Sequence, residues 1–162
     1  ARPEWDIPIV SISSCRSTAF YSVEVMQEQA AVLGQATRRA VEASGKRVVL
    51  LASNSLSHRH FTAESEVPED MSREHIAHHG QYLWDMRLLE LMKEGRMREV
   101  IDVMPEFTEQ AVSETDAGAL TWMMSAMGYP TYPAEVYAYG SVIGTGNAVV
   151  GWYPGLDSGV SR

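Results

Sequence analysis

The sequence predicts an α/β protein in which helices flank a central sheet that is mostly parallel or mixed. An apolar run rich in β-branched residues, "IPIVSISS" at 7–14, precedes a helical pattern, and a second apolar run, "KRVVLLASN" at 46–54, follows that pattern. A strand, a helix and a strand at this separation form a right-handed βαβ unit whose two strands lie parallel. The second run lacks polar alternation, which is typical of a strand covered on both faces.

The helix between these runs is expected from about Ser22 to Ser44, because apolar residues recur there near helical spacing. Gly45 follows at the position where a left-handed residue commonly ends a helix. A second helical region extends from Pro68 to Gly128, with a break at Gly95. Within it, Pro105 suits the first turn of a helix that we expect to continue to about Met127.

The segment "AEVYAYGSVIGTGNAVVGWYP" alternates between apolar and polar residues and is interrupted by glycine. This pattern predicts two strands joined in a hairpin, with Gly144 and Gly146 supplying positive φ angles. The GTG in this segment does not have the spacing GxGxxG, so we expect a hairpin rather than a nucleotide site. We expect residues 1–154 to belong to one domain and residues 155–162 to form a flexible tail.

Composition excludes several classes of function. The net charge of −8 over 162 residues argues against a dedicated nucleic-acid-binding protein, which needs clustered basic residues. No apolar run approaches the length of a transmembrane helix, and the first residues lack the pattern of a signal peptide. Cys15 is the one cysteine, which excludes an internal disulfide and suits a reducing compartment such as the cytoplasm.

Polar side chains follow the second predicted strand in the stretch "LLASNSLSHRHF". In open α/β sheets the ligand crevice lies at the carboxyl ends of the strands, so His58 and His60 are candidates for that crevice. Asn54, Ser55 and Ser57 would add hydrogen-bonding groups to the same rim. Histidine exchanges protons near neutral pH, which suits it to acid–base catalysis. A surface loop that happens to contain histidine is the alternative.

Glu114 is a second candidate, because it is expected inside the helix that begins near Pro105, among small residues such as Ala111 and Ala117. Phe107 lies on the same stripe, so this acid is predicted to face the interior. A buried carboxylate must be paired, hydrogen-bonded or bound to a metal, and the residues alone leave these three possibilities open.

A third group, His75, His78 and His79 in "HIAHH", has the three- and four-residue spacing of helical metal ligands. The glutamate of an HExxH motif is absent between them. We therefore expect a partly exposed helix face here rather than a metal site.

Several stretches together resemble the C-terminal half of class III (LigB-type) extradiol ring-cleaving dioxygenases, over about residues 2–152. The stretches are "LLASNSLSHRHF", "EDMSREH", "YLWDMRLLELMKEG", "FTEQAVSETDAGALTWMMSAM" and "YGSVIGTGNAVV". The resemblance implies the C-terminal half of a LigB-like α/β fold. It also implies a non-haem Fe(II) held by two histidines and one glutamate, with open positions for substrate and O₂.

Carried to this sequence, the resemblance implies that Glu114 in "VSETDAG" is the glutamate ligand and that His58 in "LSHRHF" is the acid/base residue. His60, Asn54 and Ser57 become candidates for binding the substrate or supporting the residues that do. The implied reaction is extradiol cleavage of a 2-aminophenol or catechol ring with O₂.

The family's two histidine ligands lie in its N-terminal half, which has no counterpart here, and the three histidines of "HIAHH" do not align with them. The chain is therefore expected to be either the C-terminal part of a cleaved or split enzyme or a subunit without its own iron. In the first case a further segment or a second subunit supplies the two histidines, within a hetero- or homo-oligomer. A non-catalytic structural subunit and a small-ligand binding module are the alternatives.

Overall fold

The computed structural model describes Glu4 and residues 6–13, 21–58, 78–142 and 144–155. These ranges contain, in chain order, helices α1 (Val23–Ser44), α2 (His79–Lys93), α3 (Met97–Asp102), α4 (Met104–Ala111) and α5 (Gly118–Met127), followed by strands β1 (Glu135–Val142) and β2 (Thr145–Gly151). A 3₁₀ turn at Glu114–Ala117 joins α4 to α5. Within the described ranges, none of the helices combines the length and the apolarity that crossing a membrane would require.

Helix α1 confirms the expected position and both expected ends. The side chain of Ser22 caps the first turn by accepting a hydrogen bond from the backbone N–H of Val25 at 3.4 Å. Gly45 ends the helix in the left-handed conformation, with φ 63°, and its N–H donates to the carbonyl of Glu42.

Helix α1 packs closely against α5 at Gly34. A Cβ atom at this position would collide with the carbonyl oxygen of Trp122 and would lie 2.7 Å from Cβ of Ser125. Hydrogen bonds flank the contact: the hydroxyl of Ser125 donates to the carbonyl of Ala31 at 2.7 Å, and the indole N–H of Trp122 donates to Oγ1 of Thr37 at 3.0 Å. Backbone proximity and polar pairing therefore fix α1 on α5.

The hydrophobic core lies among α2 to α5, beneath the loop at 50–56 and one face of the hairpin. Its most completely buried side chains are Leu88, Met92, Met97, Val100, Met104, Phe107 and Met124. Four of these seven are methionines, whose flexible side chains fill irregular gaps between short helices.

The expected parallel central sheet is not confirmed. The described residues contain one sheet, in which β1 and β2 pair antiparallel. The two apolar runs predicted as parallel strands form no ladder at 6–13 or 46–55, and they are strongly exposed: Val10 is 86 %, Val49 84 % and Leu51 83 % accessible. A strand needs a neighbouring strand to satisfy its backbone groups, and neither run has one within the described part of the chain.

The single helix expected from Pro105 to Met127 is also wrong, because the structure divides it. Pro105 does occupy the first turn of α4, as predicted, but α4 ends at Ala111. Val112 and Ala117 both adopt left-handed backbone conformations with φ 56°, which an α-helix cannot continue through. Glu114 therefore lies in the 3₁₀ turn between α4 and α5 rather than inside an α-helix.

The predicted C-terminal hairpin is confirmed. Tyr139 on β1 pairs with Ala148 on β2, and Gly144 in the turn has a positive φ of 74°. The positive φ expected at Gly146 is wrong, because Gly146 is not among the positive-φ residues of the described chain.

We predict that Gly34→Ala destabilises the fold, because the added methyl group separates α1 from α5. Overpacking of this kind lowers the free energy of unfolding by about 1–3 kcal/mol. The measurement is urea unfolding followed by circular dichroism.

The matched control is Gly80→Ala in the first turn of α2, where an added Cβ meets no atom within 4 Å. This change should alter the free energy of unfolding by less than about 1 kcal/mol, in the stabilising direction. Equal stability of the two alanine variants would contradict the close approach of α1 to α5.

Candidate active site

The loop that carries His58 pairs with β2 through its backbone. The N–H of Leu56 donates to the carbonyl of Gly146 at 2.8 Å, and the N–H of Gly146 donates to the carbonyl of Ser57 at 2.9 Å. An isolated antiparallel bridge between His58 and Thr145 extends the same pairing. One edge of the loop is therefore held by the hairpin.

The other edge of this loop pairs with the turn between α4 and α5. The N–H of His58 donates to the carbonyl of Val112 at 2.7 Å, and the N–H of Glu114 donates to the carbonyl of Leu56 at 3.3 Å. Ser57 and Ser113 form the antiparallel bridge between these hydrogen bonds. The left-handed Val112 turns the chain out of α4 so that this pairing can form, which brings Glu114 beside the loop.

The two residues expected to carry the chemistry lie next to each other. Nε2 of His58 is 3.8 Å from Oε1 of Glu114. The side chains are 27 % and 31 % exposed, so both are partly accessible while their backbones are held by hydrogen bonds. The second carboxylate oxygen of Glu114, Oε2, accepts a hydrogen bond from the backbone N–H of Ser55. This bond limits the rotation of the carboxylate and leaves Oε1 directed at the imidazole.

Asn54 and Ser55 lie on the same loop, both partly buried. The amide of Asn54 donates to the carbonyl of Ser55 at 2.7 Å. The hydroxyl of Ser55 donates to Oδ1 of Asn147 on β2 at 3.2 Å, and Nδ2 of Asn147 donates to the carbonyl of Thr145 at 3.1 Å. The asparagine of "GTGNAV" therefore supports the residue whose N–H holds Glu114.

The side chain of Ser57 is buried under the loop rather than exposed at its rim. It is 2 % exposed, and its hydroxyl donates to Oδ2 of Asp85 at 2.8 Å. Its backbone N–H donates to Oδ1 of the same carboxylate at 3.0 Å. The hydroxyl of Ser57 is therefore directed at Asp85 rather than at solvent.

Asp85 on α2 is a residue that sequence reasoning missed. Its side chain is completely buried, and Oδ2 accepts a further hydrogen bond from the hydroxyl of Tyr139 at 2.8 Å. Burial raises the pKa of this carboxyl, while the hydrogen bonds from Ser57 and Tyr139 oppose the rise. A signal was present in the sequence: Asp85 precedes Leu88 and Leu89 by three and four residues, so it lies on the apolar stripe of its helix.

Gly146 is required by this buried carboxylate rather than by its own backbone conformation. A Cβ atom at Gly146 would collide with Oδ2 of Asp85 and would lie 2.9 Å from Oγ of Ser57. Only glycine therefore allows β2 to approach both the loop and α2.

The remaining histidines do not join this site within the described residues. His60 and His75 lie outside the described ranges. His79 opens α2 and His78 directly precedes it, and both are exposed, which confirms an exposed helix start for these two residues. In the described ranges, no three side chains of His, Cys, Asp or Glu are grouped so that they could hold a metal ion.

Glu114 suits one position of a metal site. Its carboxylate is partly exposed and is oriented by the N–H of Ser55, and carboxylate oxygen is a ligand that non-haem Fe(II) accepts. The described residues thus fit the carboxylate part of such a site, and the nitrogen ligands would have to come from elsewhere.

Comparison with known proteins identifies the family of this chain. Residues 6–151 match the family described as the catalytic LigB subunit of aromatic ring-opening dioxygenase. The chain is 56 % identical over 151 residues to the 2-aminophenol 1,6-dioxygenase beta subunit of a Pseudomonas species, covering 93 % of this chain and 50 % of that subunit.

Two further relatives are more distant. The 2-aminophenol 1,6-dioxygenase alpha subunit of a Pseudomonas species is 24 % identical over 145 residues, covering 90 % of this chain and 49 % of that subunit. The 3,4-dihydroxyphenylacetate 2,3-dioxygenase of Escherichia coli is 27 % identical over 106 residues, covering 65 % of this chain and 37 % of that enzyme. The chain spans half or less of the length of each of these relatives. Because the family match extends over most of its residues, this chain belongs to the LigB family of aromatic ring-opening dioxygenases.

Proposed function

We propose that this chain contributes the carboxylate ligand and the acid/base residue to a non-haem Fe(II) site that cleaves a 2-aminophenol or catechol ring with O₂ in the extradiol manner. The observation that carries the proposal is the pairing of an imidazole with a carboxylate, Nε2 of His58 lying 3.8 Å from Oε1 of Glu114, in a member of the LigB family. The 56 % identity to a 2-aminophenol 1,6-dioxygenase beta subunit supports an aminophenol as substrate, and the 27 % identity to a 3,4-dihydroxyphenylacetate 2,3-dioxygenase keeps a catechol as the second choice.

Glu114 would hold the iron through its carboxylate. The N–H of Ser55 keeps one oxygen in place, so the carboxylate loses little further freedom when a metal binds. Bound Fe(II) would supply open positions for the substrate and O₂ and a path for electron density from the ring to oxygen.

His58 would move the protons of the reaction. An imidazole is suited to this role because it exchanges protons near neutral pH. In the proposed sequence, Nε2 of His58 first takes a proton from a heteroatom of the substrate and later returns one to oxygen as the O–O bond breaks. Its partly exposed ring lies beside the carboxylate proposed to hold the metal, which is where the substrate would bind.

The remaining two ligands would be histidines from a further polypeptide segment or a second subunit. The relatives are about twice as long as this chain, and two of them are named as the alpha and beta subunits of one dioxygenase. We propose that the segment packs on the exposed apolar runs at 6–13 and 46–51 and completes a parallel or mixed central sheet. Apolar side chains as exposed as Val10, Val49 and Leu51 are typical of a surface that another element covers.

The proposal includes an oligomeric assembly located in the cytoplasm. The single cysteine of the sequence supports this location, because it suits a reducing compartment. A non-catalytic subunit is the second candidate, because a subunit named alpha is also similar over 90 % of this chain. The identity to that alpha subunit is 24 %, against 56 % for the beta subunit, which favours the catalytic proposal. Iron content and ring cleavage by the assembled protein distinguish the two.

We predict that His58→Phe, in the protein assembled with its partner segment, keeps iron and 2-aminophenol binding but lowers turnover by about 10²–10⁴-fold, as loss of a general acid/base does. The measurement is O₂ uptake together with the absorbance of the ring-cleavage product. His79→Phe removes an exposed imidazole at the start of α2 and should leave turnover unchanged. Full turnover in His58→Phe would exclude this residue from proton transfer.

We predict that Glu114→Ala loses iron, because the variant lacks the carboxylate ligand. Metal analysis of the purified assembled protein by mass spectrometry provides the measurement. Glu109→Ala, which removes an exposed carboxylate on α4, serves as the control and should retain the iron of the unsubstituted protein. Equal iron in the two variants would show that Glu114 is not a ligand.

A further inference from the structure

A buried carboxylate next to the His58 loop connects three parts of the chain: α2, the loop at 54–58 and β1. Asp85 on α2 accepts hydrogen bonds from Ser57, which precedes His58, and from Tyr139 on β1. We propose that Asp85 is a positioning residue: by fixing Ser57 it holds the imidazole of His58 in place beside Glu114. This inference rests on the proposed function for its catalytic consequence and on the structure for its geometry.

The contact between Asp85 and Ser57 has two points. Oδ1 accepts from the backbone N–H of Ser57 at 3.0 Å, and Oδ2 accepts from its hydroxyl at 2.8 Å. Two bonds to one residue fix its position and also its rotation about the chain axis. The hydroxyl of Tyr139 on β1 also donates to Oδ2 at 2.8 Å, so the hairpin holds the carboxylate as well.

Because Asp85 holds Ser57, the position of the adjoining His58 backbone is also restricted. The carbonyl of Ser57 accepts from Gly146, and the N–H of His58 donates to Val112, so the peptide group between the two residues is held on both sides. The backbone of His58 therefore has little freedom, which limits the positions that its ring can reach. Restricting a catalytic group to few positions favours its productive geometry.

Because Asp85 is buried, its hydrogen bonds depend on the position of the loop at 54–58. A carboxylate with no exposed surface is strongly disfavoured unless donors replace its water. From the described residues, the donors to Asp85 are two groups of Ser57 and one of Tyr139. Displacing the loop would leave the buried carboxylate without two of them, so the loop is strongly favoured in the position that places His58 beside Glu114.

The close approach of β2 to Asp85 also explains the second glycine of "GTGNAV". A Cβ at Gly146 would collide with Oδ2 of Asp85, so the hairpin, α2 and the loop meet here without room for another atom. The motif contributes through its backbone to the placement of His58.

The test compares Asp85→Asn and Tyr139→Phe with Tyr137→Phe. Tyr137 lies two residues before Tyr139 on β1. Its hydroxyl contacts Glu135 and Tyr153 rather than Asp85, which makes it a matched control. The first readout is the ¹H–¹⁵N NMR signal of the His58 ring in iron-free assembled protein labelled at histidine, with His58→Phe identifying the signal. We expect this signal to shift or broaden in Asp85→Asn and Tyr139→Phe and to stay unchanged in Tyr137→Phe.

The second readout is steady-state cleavage of 2-aminophenol with iron content measured on the same samples. We expect kcat to fall by about 10- to 100-fold in Asp85→Asn, as misplacement of a catalytic group does. KM should stay within about twofold, since substrate binding is not the step affected. Iron content should match that of the unsubstituted protein, and Tyr139→Phe should show the same pattern more weakly.

An unchanged His58 signal in Tyr139→Phe and in any folded Asp85→Asn protein would overturn the positioning role, whatever the activity. Loss of iron in these variants would also overturn it, because the carboxylate would then support the metal site rather than His58. Absence of ring cleavage in the unsubstituted assembled protein would count against the proposed function alone, and the NMR comparison would still decide the role of Asp85.

Discussion

Two-sided backbone pairing of the loop at 54–58 is the constraint on which the rest of the site depends. The hairpin holds one edge through Gly146, and the turn after α4 holds the other through Val112 and Glu114. Backbone pairing on both edges positions residues more firmly than side-chain contacts alone, because each hydrogen bond also fixes the direction of the chain. The neighbouring imidazole and carboxylate follow from this pairing, although 55 residues separate them in the sequence.

The parts of the fold that local chemistry determines could be predicted, and the parts that depend on tertiary pairing could not. Helix α1 begins at a serine cap and ends at a left-handed glycine, and both signals act within a few residues. The left-handed backbone of Val112 has no such signal, because a β-branched residue adopts it only when its surroundings require it. Here the requirement is the hydrogen bond from His58 to the carbonyl of Val112, which no local pattern reveals.

The site shows the same division. His58 was predicted as a site residue because it follows a run that was expected to be a strand, although that run forms no strand in the described residues. Glu114 was predicted as a ligand from the resemblance to LigB-type dioxygenases, and its expected place inside a helix was wrong. Asp85 was detectable as an acid on an apolar stripe, but its partners Ser57 and Tyr139 lie 28 and 54 residues away and could not be paired with it. The exposed apolar runs near Val10 and Val49 show that strand-like composition does not form a sheet without a neighbouring strand.

The central proposal is that the carboxylate of Glu114 holds iron while the imidazole of His58 exchanges protons with the substrate. Crystals of the assembled protein with Fe(II), measured at the iron absorption edge, test it directly through an anomalous difference map. The account predicts an iron peak within bonding distance of a Glu114 oxygen and near, but not bonded to, Nε2 of His58. An iron peak distant from Glu114, or one bonded to the His58 ring, would contradict it.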